Sequence, residues 1–403
     1  MTEYTAQAAS PLVNGEVKLT IAEHAFLVTG LLDVAEVPFS RVNALEFENY
    51  VVTSKTDEGD FSFSRMGSWA QPFYDAMWEA YNNAVLRALF VSGSSAVSNA
   101  GGDYHFAENG VSLSGKAPFR VYENCIISLP PNSNARRIPL CFVSGLEKGA
   151  FEFKLKLNTG EEYTFSKLGH GTEPFADAVE KNIRAMRDRT IAAVKELDPS
   201  MTMTQASQIA KLMPEGAAAQ IGQLAAIAPS FAAAVEAKIS QTRAASSYNA
   251  FKELCDPAMM WIGFKKNEFP LDGANGETPP DDESTDAEPD PYLFWMIAPS
   301  PNGQYAAVEF AVQPGEGAAT FVYRTGGDFS RSAIQLNRAL EAINFRREVI
   351  RLNEEELLKP ENADYYMAAK RTASLQYVRD NFVGRVIHSS QESWKRKLME
   401  LWK

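Results

Sequence analysis

The residues able to do acid–base, metal or phosphate chemistry do not gather into a site. His24, His105, His170 and His388 each stand without a second His, Cys or carboxylate at ligand spacing, so the sequence argues for no zinc centre. No C-x-x-C, G-x-S-x-G or H-E-x-x-H occurs. The run from Gly110 to Ala117, GVSLSGKA, comes near a phosphate-binding loop, but Ala117 stands where a hydroxyl must hold magnesium. Its Val111-Ser112-Leu113 also alternates as a strand does, rather than forming a glycine-rich cradle. The acid pairs Glu46/Glu48 and Glu161/Glu162 fall on a wet strand face or in a turn, where nothing tunes a carboxylate for proton transfer. No catalytic, cofactor-binding or metal-binding residue is therefore expected, and the expectation is a protein that is not an enzyme.

What remains is basic chemistry. Lys116 with Arg120, the pair Arg136-Arg137, and Lys395-Arg396-Lys397 near the end of the chain are the residues that could contact an anionic lipid or a partner. They stand in an acidic chain with a formal charge of −12, which gains nothing from counterion release on nucleic acid and is repelled on average by anionic lipid surfaces. Nucleic acid is excluded as a partner, and a membrane surface is not favoured. The terminal basic run is expected to be a helix that docks back on the protein with its lysines in water. The polar N-terminus, with an acid at Glu3, predicts no secretory signal, and no apolar run is long enough for a membrane helix. Three scattered cysteines, Cys125, Cys141 and Cys255, fit a reducing compartment, so a cytoplasmic protein is expected.

The elements that would position such residues are duplicated. Phe63, Ser64, Gly67, Pro72, Phe73, Asp75 and Ala76 are matched by Phe165, Ser166, Gly169, Pro174, Phe175, Asp177 and Ala178. Upstream, Val37-Pro38-Phe39-Ser40-Arg41-Val42 corresponds to Ile138-Pro139-Leu140-Cys141-Phe142-Val143, and the difference of one residue falls in the turn after Asp57 or Asn158. Phe151, Phe153, Leu155 and Leu157 alternate with Glu152, Lys154 and Lys156, the period of a strand with one wet face. Tyr163–Leu168 completes a hairpin. Phe175, Val179, Ile183 and Met186 then form one apolar helical stripe, as do Phe73, Met77, Tyr81 and Ala84 in the first copy. Many short strands closing on one amphipathic helix predict a small antiparallel barrel or sandwich with a helix at one end. Val308–Val312, a Pro314-Gly315 turn and Ala319–Arg324 suggest a third, divergent copy.

The order Leu19-Thr20, Leu27-Val28-Thr29, Val37-Pro38 with Val42, then Gly59-Asp60-Phe61-Ser62-Phe63 and a helix resembles the bacterial pleckstrin-homology-like and GRAM-like families. The second copy carries the resemblance through Gly110–Gly115, Ile138-Pro139 with Val143, and Gly160 with Tyr163-Thr164-Phe165. The resemblance implies a bent seven-stranded antiparallel barrel capped by a C-terminal helix, a superfold that serves lipids, phosphopeptides and proteins alike. Its lipid-binding members cluster Lys and Arg on the first strands, where this chain has only Lys18 against Glu16 and Glu23.

The fold class expected is thus α+β and multidomain. Repeats are placed at residues 15–91 and 103–192, an Ala-rich helical segment at 193–257, a third repeat at 258–345 with an acidic, Pro-rich loop at 271–291, and a helical segment at 346–403. The function expected is an intracellular scaffold that binds other proteins through its barrels, with peripheral binding to anionic lipid as the alternative.

Overall fold

The computed structural model describes residues 2–108, 110–242, 244–266, 292–310, 319–346, 348–388 and 390–403. It is an α+β structure with three antiparallel sheets. The chain divides into two compact units, Met1–Glu180 with Ala342–Gln376, and Lys181–Glu341 with Tyr377–Lys403.

In the first unit, strands β1 (Glu3–Ala9), β2 (Gly15–Ile21), β3 (Ala25–Thr29), β4 (Val34–Pro38), β5 (Val42–Glu48), β6 (Val51–Thr56) and β7 (Gly59–Ser64) precede helix α1 (Ala70–Ala88). They lie in the order β4-β3-β2-β1-β7-β6-β5. The second sheet contains β8 (Val97–Glu108), β9 (Val111–Val121), β10 (Cys125–Ser128), β11 (Arg136–Pro139), β12 (Val143–Lys148), β13 (Glu152–Leu157) and β14 (Glu162–Ser166), and α2 (Thr172–Leu197) follows it. Its order, β11-β10-β9-β8-β14-β13-β12, is the same strand for strand. The irregularities correspond too. A short 3-10 turn follows β4 at Phe39–Arg41 and β11 at Leu140–Phe142. A bulge opens β5 between Val42 and Ala44, and β12 between Val143 and Gly145. Arg65 and Lys167, just past the last strands, both take the left-handed backbone conformation that only glycine adopts freely. Each sheet also begins earlier than the sequence reading placed it, at Glu3 rather than 15 and at Val97 rather than 103. In β1 only Tyr4, Ala6 and Ala8 face inward, too small a set to announce a strand.

Phe63 and Phe165 are buried on the last strands, and Phe73 and Phe175 open the following helices and are buried against them. The ring centroids lie 5.7 Å apart in the first copy and 5.1 Å apart in the second. Each fully buried Phe contributes roughly 1.5–3 kcal/mol, so these rings join helix to sheet in both copies. The sheets also meet each other. Leu45 N–H donates to the Pro131 carbonyl at 2.7 Å, Tyr81 Oη to the Asn132 carbonyl at 3.0 Å, and Ile127 and Leu129 join the first sheet's apolar core.

The second unit contains α3 (Met203–Leu212), β15 (Ala218–Gln220), α4 (Ile221–Ile227), α5 (Pro229–Ile239), α6 (Ala245–Leu254), β16 (Trp261–Lys266), β17 (Tyr292–Pro299), β18 (Tyr305–Phe310), β19 (Ala319–Arg324) and α7 (Phe329–Ala342). The chain then returns to the first unit with α8 (Glu348–Arg351), α9 (Glu354–Leu357) and α10 (Ala363–Arg371), and re-enters the second through α11 (Ala373–Asn381), with β20 (Phe382–Ile387) and α12 (Gln391–Leu401).

The third sheet corrects the expectation of a third copy. Its order is sequential, β15-β16-β17-β18-β19-β20, without the junction of first and last hairpins that defines the other two. It draws one edge from the supposed helical segment and the other from residues beyond 345. The Val308 and Ala319 runs do pair as β18 and β19. The acidic loop and the Pro314-Gly315 turn lie outside the described residues. Within this sheet Gly263 sits opposite Trp295, where a β-carbon would stand only 2.1 Å from the indole, so glycine is needed for the ring to cross the strand.

α10 is bound to the first sheet by polar contacts. Lys370 Nζ and Tyr366 Oη donate to the Asp57 carboxylate at 2.6 and 2.8 Å, and Arg371 donates to the Val42 carbonyl at 2.8 Å and to Tyr81 Oη at 3.0 Å.

Candidate functional site

The basic residues singled out from the sequence have separate fates. Arg136 Nε donates to Glu108 Oε2 at 2.8 Å, and the same buried carboxylate accepts from Tyr163 Oη at 2.6 Å. Arg137 is buried, and Arg120 is half-buried and lies across Ile127 from it, on neighbouring strands. These arginines therefore do not form an exposed headgroup patch. Lys116 is exposed on β9, opposite Asp103. In the second unit, α12 buries Trp394, Leu398 and Trp402, pairs Lys395 with Glu253, and leaves Arg396 and Lys397 exposed. The helix is docked through its tryptophans, with Arg396 and Lys397 in water and Lys395 held by Glu253.

The histidines are not all isolated. His388 Nε2 lies 3.1 Å from Glu309 Oε2 and 3.0 Å from Thr320 Oγ1, and Trp394 Nε1 donates to the same hydroxyl at 2.8 Å. Seventy-nine residues separate His388 from Glu309, which spacing rules do not reach. A His–Thr–carboxylate cluster could activate a nucleophile if substrate reached it. Thr320 is wholly buried, however, and its hydroxyl is spent on Glu309 and Trp394. The cluster joins β18, β19, β20 and α12 as a satisfied polar network. Among the described residues, no three His, Cys, Asp or Glu side chains converge as a metal site, and no helix is long and apolar enough to cross a membrane.

A groove lies beside β1. Against β2 this strand is paired from Glu3 to Ala8, but against β7 only from Gln7 to Ala9. The Gln7 carbonyl accepts from Ser64 Oγ at 3.3 Å, so the odd residues of β1 turn their backbone groups toward β7. Glu3 and Thr5 therefore direct N–H and C=O groups to a side where no described strand pairs with them. The space is a groove of about 600 Å³, lined by Thr2–Gln7, Glu16, Arg65, Met66 and Trp69. Trp69 is 60% exposed, with its edge against Tyr4 at 6.2 Å between centroids. Arg65 is exposed and makes no ion pair among the described residues.

The second sheet closes the equivalent place. Lys167, the counterpart of Arg65, bonds Asp103 at 2.6 Å, whereas Arg65 has Gln7 at that position. That hydrogen bond holds the Asp103 carboxyl below its usual range and raises Lys167. At Gly102, a β-carbon would stand 2.5 Å from the Ser166 carbonyl, so the strand approaches too closely to admit a side chain. The first sheet carries Ala6 there. Gly171, with Ala100 beside it, replaces Trp69.

No protein-family model matches the chain, and no curated protein matches it either. Arg65 and Trp69 lie within the duplicated string, where neither residue type by itself marks a site. The available signal was the contrast between copies, an aromatic standing where the other copy has glycine.

Proposed function

We propose that this chain is a non-enzymatic cytoplasmic adaptor whose first two sheets are pleckstrin-homology-like barrels, the first of which binds an extended segment of another protein. The barrel reading rests on the shared strand order, the shared bulges and the helix that closes each sheet. The binding reading rests on one observation, the unpaired β1 edge at Glu3 and Thr5 beside Trp69 and Arg65. An extended peptide can add to such an edge through main-chain hydrogen bonds while side-chain pockets set preference. Here Trp69, Tyr4 and Met66 offer an apolar anchor site, and Arg65 offers a cation to a carboxylate or carbonyl. Aromatic and arginine side chains dominate binding energy at protein interfaces.

The test is an array of random decapeptides probed with the full chain and with its Trp69→Ala variant. The reading expects a subset with alternating apolar positions, retained by the parent and released by the variant. Equal retention by both proteins, or no retention by either, would contradict it.

A further inference from the structure

Beyond the Ala9 end of β1 the same barrel exposes an apolar knob. The β3–β4 hairpin turns through Leu31 and Leu32, which are 95% and 90% exposed, and Gly30 N–H donates to the Asp33 carbonyl at 2.8 Å to close the turn. Neither leucine adopts a positive φ and neither buries its side chain, so the two side chains contribute nothing to the barrel's core. The neighbouring β1–β2 turn adds Leu12, 52% exposed. It lies alongside because the position of a Gly30 β-carbon falls 2.9 Å from Val13. Val34, 66% exposed, extends the patch along β4. Four exposed apolar side chains on two adjacent turns and the strand that follows one of them form the kind of surface that marks an interaction site.

Charge decides what covers it. The exposed acids Asp33 and Glu36 flank the leucines and make no ion pair among the described residues. Lys18, opposite Thr29 on the adjoining strand, is bonded to Glu3 at 2.9 Å. Glu58, on the turn packed against Pro11, is answered by Arg41. An anionic bilayer would meet these carboxylates and be repelled, and the knob is too small to hold the chain on a neutral one.

We propose that the Leu31-Leu32 tip inserts into an apolar pocket, rimmed by lysine or arginine, on a partner protein. None of Leu12, Leu31, Leu32 and Val34 lines the β1 groove, so the barrel carries two docking surfaces, and this one stands whether or not the groove binds peptide.

The test places the photo-crosslinking residue p-benzoylphenylalanine at Leu31 of the full chain in its native cells, with Glu79 on the outer face of α1 as control. The expected result is one discrete adduct from position 31 and none from 79. The adduct should fall at least tenfold when Leu32→Asp is added, and again when Asp33→Lys and Glu36→Lys are added with Leu32 intact. All these sites are exposed, and unchanged thermal unfolding of each variant checks that the fold persists. An adduct that survives both changes, or its absence, overturns the proposal. So does an adduct with a second copy of the chain, or sedimentation of the purified chain with phosphatidylcholine vesicles that Leu32→Asp abolishes.

Discussion

Lys167 Nζ lies 2.6 Å from Asp103 Oδ2, and the corresponding residues of the first sheet, Arg65 and Gln7, have no such bridge. Two copies of one element thus differ at the junction of their first and last strands. In the second, the cation is consumed by an acid and the strand lies against the Ser166 carbonyl; in the first, the cation is free and the edge is open.

Restoring the bridge should close the groove. Gln7→Asp places a carboxylate opposite Ser64, within reach of Arg65, as Asp103 is within reach of Lys167. Because exposed ion pairs contribute only about 0–1 kcal/mol, the variant should unfold at nearly the parent temperature. Its affinity for an array-selected peptide should fall several-fold, measured by fluorescence anisotropy. Unchanged affinity would separate Arg65 from the site.

The phenylalanines that join helix to sheet should dominate the stability of each copy. Phe73→Ala and Phe175→Ala should each cost about 3–5 kcal/mol, since truncation leaves a cavity as well as losing burial. Glu79→Ala and Lys181→Ala, on exposed helix faces, should change stability by less than about 0.5 kcal/mol. Urea unfolding followed by circular dichroism distinguishes the two classes.

Asp57 ties α10 to the first sheet in a pH-dependent way. Burial raises its carboxyl, but hydrogen bonds from Lys370, Asn43 and Tyr366 outweigh this and hold it below the ordinary carboxylate value. A depressed folded value stabilises the protein above the unfolded value of about 3.9, and that stabilisation is lost as pH falls through the folded value. The parent should therefore be more stable than Asp57→Asn at pH 6–8, and the gap should narrow below about pH 4. Thermal melts across pH measure it; a constant gap would remove Asp57's charge from the account.

Arg371 is only 2% exposed, and its Nε and one terminal nitrogen have no hydrogen-bond partner among the described residues. A buried cation bonded to the Val42 carbonyl and the Tyr81 hydroxyl, with the Tyr81 ring 5.7 Å away, sets its desolvation cost against limited gain. Arg371→Met should be neutral or stabilising in urea, while Arg371→Ala should cost about 2–4 kcal/mol by leaving a void beneath α10. Equal losses in the two variants would mean that the guanidinium's bonds, rather than its volume, hold the helix.

Much of the architecture was legible because it is local. Hairpin alternation, the Gly67 and Gly169 corners and the Phe73 and Phe175 stripes repeat within short windows, and the strand order of the two sheets agrees with the duplication they announce. The third sheet is not legible in the sequence for the opposite reason. Its edge strands Ala218–Gln220 and Phe382–Ile387 come from far along the chain, and β-pairing at that separation leaves no periodic trace. The groove was hidden in another way. It arises from pairing that stops at Gln7, a matter of register rather than residue type, and the residues lining it are individually unremarkable. The acidic surroundings of the Leu31-Leu32 tip were in the sequence, but full exposure of both leucines is a property of the folded turn.

The central claim is that a bound segment pairs with the backbone of β1, and Thr5→Pro tests it most directly. Proline at residue 5 removes one N–H directed to the open side and leaves the pairing of Tyr4 and Ala6 with β2 in place, as proline does on edge strands. The full chain carrying Thr5→Pro should unfold within a few degrees of the parent, yet bind an array-selected peptide several-fold to tenfold more weakly, the consequence of losing about 0.5–1.5 kcal/mol. Thr5→Ala, which keeps the N–H, should bind as the parent does. A folded Thr5→Pro protein with parental affinity would contradict strand addition at this edge.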